Sequence, residues 1–244
     1  MDFSLFIPNM IKIWQEYWFV FLFNGLKNTL ILTCISVFLG TVFGALVAMG
    51  RMSKIASLRW LIILYTEVIR GTPILLQLYI FYFVLPNVLT FLKLSPFMWV
   101  SIALCVNSAA YVSEVIRSGI QAVDKGQTEA ARSLGLSEKQ TMMKIILPQA
   151  VRNILPALGN EFIMMLKETS LASTFFLGDL MTTYSIIKGA TYLTLEPMTI
   201  VAIIYLCMTF PLSKIVERFE KKMASPNSYK NHKKKRINAW GGNK

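Results

Sequence analysis

Apolar residues occur along this chain in long runs, separated by short segments rich in lysine and arginine. Several runs approach the roughly 20 residues that a helix needs to cross a hydrocarbon core of about 30 Å. A backbone surrounded by lipid must satisfy its own hydrogen bonds, so spanning segments are helices unless they close a barrel. The pattern predicts an all-α integral membrane protein with about five transmembrane helices. Their expected positions are residues 28–50, 60–92, 95–113, 156–177 and 197–210, the last extending towards 216.

The second predicted span is interrupted by polar residues and a proline. Pro73 has no backbone N–H to donate, and Thr72 is suited to cap a new helix that begins at the proline. This predicts a bent or broken helix whose freed backbone groups face the protein interior or a wet cavity. A surface loop before a span that begins near Gly71 fits the pattern equally well. Glu67 and Arg70, three residues apart, have the spacing of an ion pair.

The fourth predicted span carries Glu161, Lys167 and Glu168. A charge at the centre of a bilayer costs at least about 2.5–3.5 kcal/mol on insertion scales, so such residues normally face a bundle interior or water. Glu161 and Glu168 are seven residues apart and share one face of a helix. We therefore expect this helix to line the interior of the bundle.

Small residues within the apolar runs are expected to be packing positions. Gly40 and Gly44 form a GxxxG pair, a spacing that favours the close approach of another helix but that also arises often by chance. Cys34, Cys105 and Cys207 are isolated within apolar segments. We expect them to behave as small buried hydrophobic residues, and not as a disulfide or metal framework.

The composition agrees with a membrane protein. Of 244 residues, 55% are hydrophobic, and the mean hydropathy is +0.52, which is high for a typical soluble domain. The formal net charge of +12 suggests a nucleic-acid-binding protein at first sight. The lysines and arginines lie in the loops and the tail, however, and no basic stripe alternates with stacking aromatic residues. We therefore expect no nucleic-acid partner.

The positions of the basic residues predict the orientation of the chain. Lysine and arginine concentrate in residues 51–59, in residues 117–152 and from residue 214 onward. With five spans these regions share one side of the cytoplasmic membrane, and the positive-inside rule places that side in the cytoplasm. The N-terminus is then outside. The basic tail, residues 221–244, is cytoplasmic and positioned to contact anionic lipid head groups.

The first 23 residues differ from a membrane span, because tryptophan, tyrosine and charged residues are mixed with apolar ones. Such a segment is typical of an amphipathic helix at the membrane interface. It lacks the positively charged start and the small-residue cleavage site of a signal peptide. We therefore predict an interfacial segment, residues 1–23, that is not cleaved.

A polar segment, at about residues 124–148, separates the third and fourth predicted spans. Two residue pairs in it have the spacing of a capping box, in which side chains satisfy the free amides at a helix start: Asp124 with Gln127, and Ser137 with Gln140. The first helix is predicted to run from about Lys125 to Leu134 and to stop at Gly135. The second is predicted to run from Ser137 to Leu147, where Pro148 limits it.

The first of these helices has a surface suited to docking. Ala130, Ala131 and Gly135 carry little or no side chain, so another backbone is able to approach closely, and Glu129 offers a carboxylate beside them. From the residues alone, an amphipathic connector on the bilayer surface is an equally good interpretation.

Motifs in and around this segment resemble one family of transporters. Seven residues have the spacing of the EAA loop in importer permeases of the ATP-binding-cassette (ABC) class: Glu129, Ala130, Ala131, Gly135, Ile145, Leu147 and Pro148. The flanking stretches SAAYVSEVIRSGI and LKETSLAS resemble the branch that takes up polar amino acids. The resemblance covers about residues 24–219 and implies the type I importer permease fold. It makes residues 24–220 the permease domain and residues 124–148 a cytoplasmic coupling-helix loop.

The resemblance implies a transport subunit and not an enzyme. In this family two permease chains, identical or different, form the pore, two ATPase subunits bind below it, and an extracytoplasmic binding protein delivers the substrate. ATP and Mg²⁺ are expected on the ATPase, because this chain has no GxxxxGK[ST] phosphate loop. The single histidine, His232, lies in the tail and no paired Cys/His spacing occurs. We therefore predict no catalytic residue, metal site or cofactor in this chain.

For an amino-acid importer, the interior carboxylate is the candidate for substrate contact. We expect Glu161, with Asn160 beside it, to recognise the α-amino group, because an interior carboxylate needs a cationic partner; a cation of the protein is the alternative. Asn107, a lone amide, either bonds a neighbouring helix or lines the path. The predicted substrate path consists of Asn160, Glu161, Thr169, Ser170, Thr72 and Asn107. Similarity of the loop region favours glutamine, while cystine, arginine or another polar amino acid remains open.

Overall fold

The computed structural model describes residues 3–223, which fold into helices joined by short connections. In chain order the helices are α1 (Phe6–Arg51), α2 (Ala56–Gly71), α3 (Ile74–Val88), α4 (Pro96–Gln121), α5 (Lys125–Ser133), α6 (Glu138–Thr141), α7 (Leu147–Glu168), α8 (Leu180–Thr191) and α9 (Leu195–Met223). No strand occurs in residues 3–223, and the predicted all-α class is confirmed. The described residues form two compact units, residues 3–114 with 161–211, and residues 115–160 with 212–223. From residue 224 the predicted basic tail lies outside the described residues.

Three helices are long and apolar enough to cross a membrane, namely α1, α4 and α9, and a fourth span results if α2 and α3 are counted as one bent pair. The third and fifth predicted spans thus correspond to α4 and α9, which are both longer than predicted. The fourth predicted span, residues 156–177, falls on the charged helix α7 and a following 3-10 segment, Thr169–Phe175, outside that set. The total of five spans remains a prediction.

Helix α1 is continuous over 46 residues. The predicted interfacial segment and the first predicted span are therefore parts of one helix, joined through a π-helical stretch, Val20–Leu26. At a rise of 1.5 Å per residue this helix measures roughly 69 Å, more than twice the hydrocarbon core, so part of it lies outside the core. The sequence pattern missed this continuity because Asn24 and Lys27 interrupt the apolar run without breaking the backbone.

Two apolar clusters form the core of the first unit. One joins α1 to α8 and α9 through Ile13, Phe21, Leu180, Ile187, Ile200 and Ile204. The other joins α1, α3, α4 and the end of α7 through Leu32, Leu78, Val100, Leu104, Met165 and Phe175. All three cysteines are free, but only Cys105 is buried. The prediction was wrong for Cys34 and Cys207, which lie on exposed faces of α1 and α9.

The GxxxG pair packs α1 closely against α4, so of the two interpretations of this pair close helix packing is the one observed. A Cβ atom at Gly40 would lie 2.6 Å from the Cβ of Ser108, and one at Gly44 would lie 2.8 Å from the Cβ of Val112. Both distances are far shorter than a normal carbon contact of about 3.5–4.0 Å. Glycine is therefore required at both positions for this approach of the two helices.

The predicted break at Pro73 is confirmed, because α2 and α3 meet there at an angle of 106°. The predicted role of Thr72 as the helix cap was wrong. Pro73 itself occupies the cap position of α3, with φ −60° and ψ 134°, and the Thr72 hydroxyl donates back to the Val68 carbonyl at 2.8 Å. Thr72 therefore closes α2 and does not begin α3.

The predicted ion pair between Glu67 and Arg70 was also wrong. Glu114 on α4 instead receives the Arg51 guanidinium at 3.1 Å and that of Arg70 at 3.9 Å. The Arg70 guanidinium also lies over the Tyr111 ring, 5.6 Å from its centroid. A half-buried carboxylate with an aromatic face beside it competes well with a neighbour on the same helix.

The second unit contains the end of α4, the polar segment, the start of α7 and the end of α9. A Cβ atom at Gly119 would lie 2.4 Å from the Ile154 Cγ1, and one at Gly159 would lie 2.6 Å from the Val216 Cγ2. Glycines at these two positions therefore allow α7 to pack closely against both α4 and α9 in this unit.

Candidate functional site

Helix α5 begins at Asp124, as predicted, but without a capping box. The Asp124 Oδ1 atom accepts a hydrogen bond from the Gly126 backbone N–H at 2.7 Å. The Gln127 side chain does not return this bond to the cap residue; its Oε1 instead accepts from the Gln149 Nε2 at 3.4 Å. The cap was predictable from residue type. The hydrogen bond of the Gln127 side chain was not, because its partner, Gln149, lies 22 positions away in the sequence.

Helix α5 stops before Gly135, as predicted, in a complete Schellman motif in which Leu134 is the C-cap. Gly135 has φ +82°, in the left-handed region. The Leu136 N–H donates to the Ala131 carbonyl at 3.1 Å and the Gly135 N–H donates to the Arg132 carbonyl at 3.0 Å. The Arg132 guanidinium then donates to the Leu136 carbonyl at 2.7 Å. The two backbone bonds satisfy carbonyls in the last turn of α5, and the bond from Arg132 fixes the direction of the chain beyond the helix.

The exposed surface of α5 differs from the predicted one. Glu129, Ala130 and Gly135 are exposed, as a docking surface requires. Ala131 is only 4% exposed and packs inward, so it is part of the support of the helix. Leu134, which we did not predict, is 83% exposed and adds a large apolar side chain to the surface. The turn beside Leu134 was recognisable from the sequence, but the direction of the leucine side chain was not.

The second helix of the polar segment begins with the predicted capping box. The Ser137 hydroxyl accepts from the Gln140 N–H at 3.2 Å, and the Gln140 Oε1 accepts from the Ser137 N–H at 2.9 Å. Pro148 does not end this helix, contrary to prediction. Helix α6 leads through a π-helical stretch, Met142–Ile146, directly into α7.

The bonding register changes immediately before Pro148, and this explains why the helix continues. The Leu147 N–H bonds to the Met142 carbonyl five residues back, and α-helical bonding resumes afterwards. Pro148 therefore occupies the first turn of α7, where a missing N–H is tolerated. Leu147 is half-buried and Pro148 is exposed, so of the two only the proline is fully accessible to a partner.

A buried carboxylate lies in the first unit, where α4 meets α7. Glu161 is 5% exposed, and its Oε1 accepts a hydrogen bond from the Ser108 hydroxyl at 3.4 Å. Within residues 3–223 no lysine or arginine pairs with it. The alternative of a protein cation therefore has no support in the described part of the chain. A buried carboxylate with only a hydroxyl partner is suited to receive a cationic group of a ligand.

Asn107, next to Ser108 on α4, connects this helix to the break between α2 and α3. The Asn107 Nδ2 donates to the Gln77 Oε1 at 3.0 Å. The Gln77 Nε2 donates to the carbonyls of Ile69 and Thr72, at 2.7 Å and 3.1 Å, and to the Thr72 hydroxyl at 3.0 Å. Asn107 thus makes the predicted bond to a neighbouring element, and Gln77 satisfies the backbone groups freed at the break.

Gln77 is the residue that sequence reasoning missed. It is 5% exposed and links two predicted path residues, Thr72 and Asn107. Its only sequence signal is an amide within an apolar run four residues after a proline. An amide in this position should have been considered a partner for the broken helix, because every freed carbonyl in a membrane needs a donor.

The other predicted path residues are less closely connected. Thr169 is buried, and its hydroxyl donates to the Leu166 carbonyl at 2.8 Å. Ser170 is half-buried, and its carbonyl accepts from the Ser173 hydroxyl at 2.7 Å. Asn160 is exposed and belongs to the second unit. Within residues 3–223, no cluster of three metal-binding side chains is present.

The fold and the polar segment together define a class of protein: a helical integral membrane protein with an exposed helix, capped at both ends, between α4 and α7. The chain belongs to the family of binding-protein-dependent transport system inner membrane components, whose model matches residues 40–225. This family consists of transport components and not enzymes, as predicted, and the resemblance to ABC importer permeases is confirmed.

Relatives named for transport roles match most of the chain. The arginine transport system permease protein ArtQ of Bacillus subtilis is 40% identical, over 92% of this chain and 98% of its own length. A putative glutamine transport system permease protein, GlnP of Rickettsia bellii, is 42% identical, over 84% of this chain and 93% of its own length.

Solved structures share the fold. A crystal structure of an amino acid ABC transporter with histidines contains a chain that is 44% identical, with a TM-score of 0.81 over 85% of this chain and 95% of that one. The MetNI methionine ABC transporter in an inward-facing conformation is 19% identical, with a TM-score of 0.66 over 82% of this chain and 95% of that one. At this lower identity the second likeness concerns the fold alone.

Proposed function

We propose that this chain is the permease subunit of an importer for a polar amino acid, and that a separate ATPase drives it by docking at α5. The exposed and doubly capped helix α5 carries this proposal. Asp124 and the Gly135 turn fix both of its ends, so a force applied at Glu129 is transmitted without unwinding the helix. The relatives named for arginine, glutamine and amino-acid transport support the substrate class.

The proposed complex contains more than this chain. A second permease chain, identical or different, completes the pore, two ATPase subunits bind ATP and Mg²⁺, and an extracytoplasmic binding protein delivers the substrate. In the cytoplasmic membrane the N-terminus lies outside and α5 lies in the cytoplasm, because the basic segments follow the positive-inside rule. The chain itself then needs no cofactor.

The proposed transport cycle uses the ATPase as the source of movement. Closure of the ATPase subunits around ATP moves α5 and switches the pore from inward-facing to outward-facing. The substrate then enters from the binding protein, and hydrolysis returns the pore to its first state. Residues Glu129, Ala130 and Gly135 make the contact, Leu134 enlarges it, and Ala131, Leu147 and Pro148 support the loop.

Glu161 is proposed to bind the α-amino group of the substrate. Its carboxylate is buried and has only the Ser108 hydroxyl as a bonding partner in the described residues. Because all amino acids share the α-amino group, this contact selects the class and not the side chain. We keep glutamine as the preferred substrate; arginine and cystine are the alternatives, and the relatives include both arginine and glutamine permeases.

Uptake by the reconstituted complex tests this function. Proteoliposomes containing the chain and its ATPase, supplied with binding protein, are expected to accumulate a labelled polar amino acid only with ATP inside. Competition by glutamine, arginine and cystine identifies the substrate. Uptake by this chain alone, abolished by ionophores, would contradict the proposal and indicate a secondary transporter, a class in which paired structural repeats are usual.

A further inference from the structure

The C-terminal end of α8 has an unusual backbone conformation at an exposed aromatic residue. Tyr192 has φ 58° and ψ 12°, in the left-handed region, and its side chain is 92% exposed. Its N–H donates to the Lys188 carbonyl at 2.9 Å, which closes the helix. Glycine or asparagine is normal at such a cap, and a bulky residue there is an outlier that costs free energy. Packing within the unit does not explain a tyrosine here, because the ring is almost fully exposed, so the strained conformation points to a role outside the unit.

Tyr192 borders a concave surface with polar groups. The concavity has a volume of about 410 Å³ and is lined by Tyr184, Ser185, Lys188, Gly189, Tyr192 and Thr194. The Lys188 Nζ lies over the Tyr184 ring, 5.9 Å from its centroid. None of these described lining residues is a carboxylate, and a Cβ atom at Gly189 would have no neighbour within 4 Å. The surface therefore offers a positive charge, hydroxyl groups, an accessible backbone and an aromatic ring.

This surface lies on the same side of the first unit as the start of α1. The Asn9 Nδ2 donates to the Glu196 Oε1 at 3.4 Å, which places the beginning of α9 beside the beginning of α1. Tyr192 precedes α9 by three residues. In the orientation given under the proposed function, on which this step rests, that side is extracytoplasmic.

We infer that the concavity at Lys188 and Tyr192 is a docking surface for the extracytoplasmic binding protein, which inserts a loop bearing a carboxylate. The family description names a binding protein on which transport depends, and under the proposed function this protein acts on this side of the membrane. The lysine charge is complementary to a carboxylate. Tyrosine, such as the exposed Tyr192 beside it, is one of the residue types that most often contribute a large part of the binding free energy in protein interfaces. The hydroxyl groups and the open backbone fit a water-soluble partner better than acyl chains.

Affinity measurements on the complete transporter in lipid nanodiscs test this inference. The probe is the binding protein that copurifies with the chain, labelled and titrated onto the complex. Lys188→Glu and Tyr192→Gly are each expected to raise its Kd at least tenfold. Lys93→Glu is the matched control and should leave the Kd unchanged, because Lys93 is exposed and lies between the second and third predicted spans, which puts it on the same side in the predicted topology. Tyr192→Gly should not lower the unfolding midpoint, because glycine relieves the backbone strain at this cap.

Four outcomes would overturn the inference, and they differ in whether the proposed importer function survives. Unchanged affinity in both variants, or an equal loss in the Lys93→Glu control, would remove the docking surface but not the importer function. An effect of Lys188→Glu that occurs only in nanodiscs with anionic phosphatidylglycerol, and not with phosphatidylcholine, would assign the lysine to a lipid head group. If the unaltered complex binds no binding protein, the proposed function itself fails and the docking surface with it.

Discussion

At the scale of single residues, the conformation of Gly135 connects the sequence to the proposed coupling contact. A left-handed backbone costs an L-residue about 1–2 kcal/mol. Gly135 has φ +82°, and a Cβ atom placed on it would have no neighbour within 4 Å. The space around this glycine is therefore open towards solvent. A partner that approaches it closely would be excluded by any side chain there, whatever the effect on the turn.

Two substitutions separate the role of Gly135 in the turn from its role in the close approach of a partner. Gly135→Ala is expected to destabilise the turn by about 1 kcal/mol or more and to abolish ATP-driven uptake. Gly135→Asn, which tolerates the left-handed conformation, should keep the unfolding midpoint near that of the unaltered chain and still reduce stimulation of the ATPase. Full stimulation with asparagine would mean that only the turn matters and that no close contact occurs at this position.

Glu161 gives a second prediction at this scale. Glu161→Gln keeps the shape of the side chain and removes its charge, so it should weaken binding of an α-amino group. A hydrogen bond to a charged group contributes about 1.5–3 kcal/mol, which corresponds to a loss of uptake of roughly tenfold to a hundredfold. Glu168→Gln, at the end of the same helix, is the control. Unchanged uptake by the Glu161 variant in a complex that still assembles would exclude the proposed substrate contact.

Single residues were predictable where their role is local. The caps at Asp124 and Ser137 and the turn at Gly135 follow from residue type and spacing, because the groups they satisfy lie within four positions. The inward direction of Ala131 and the bridging role of Gln77 depend on what packs against them. Residue type alone does not contain that information.

At the scale of elements, the break between α2 and α3 is held by a network of amides. Gln77 and Asn107 are both buried and bonded to each other, and Gln77 also caps the end of α2. In a low-dielectric interior each unpaired member of such a network is costly.

Removing one amide therefore leaves several groups unsatisfied. Gln77→Leu is expected to destabilise the detergent-solubilised chain by about 1–3 kcal/mol, seen as a lower unfolding midpoint. Asn107→Leu removes one bond of the same network and should cost less. The double variant should cost less than the sum of the two, because the pair is coupled. Strict additivity would mean that the two amides act independently.

The close contact between α1 and α4 gives a prediction in which a second substitution should restore the stability lost through the first. Gly40→Ala places a Cβ atom 2.6 Å from the Ser108 Cβ, and overpacking of this kind typically costs about 1–3 kcal/mol. Ser108→Gly, combined with it, removes the clashing atoms and should restore part of the lost thermal stability. Gly189→Ala, where the added Cβ atom would meet nothing within 4 Å, is the control. Equal effects of the two alanine substitutions would show that helix packing is not the cause.

Prolines show the limit of prediction for elements. Pro73 breaks a helix and Pro148 does not, although each lies in an apolar or amphipathic run. The difference is the π-helical stretch before Pro148, which shifts the bonding register where the proline needs it. The sequence pattern likewise treated the polar residues around Asn24 as a boundary, but α1 continues through them.

At the scale of the whole molecule, the class and the partners of the chain follow from different kinds of information. Hydropathy and charge predicted a helical membrane protein, and the family match confirms a transport component. The number of spans remains a prediction, because the fourth predicted span falls on α7, which carries charged residues and is not among the described helices that are long and apolar enough to cross a membrane. The substrate is the least predictable feature, since the α-amino contact proposed for Glu161 is common to all amino acids.

The central claim is that α5 is the docking site of a separate ATPase. The most direct test is a pull-down of the tagged full-length chain from solubilised native membranes, followed by mass spectrometry. We predict that an ATPase and a binding protein copurify, and that the ATPase is lost when Glu129→Ala and Gly135→Asn are combined, while the altered chain remains folded. Recovery of the unaltered chain alone, in a form that transports an amino acid in proteoliposomes without ATP, would contradict the account.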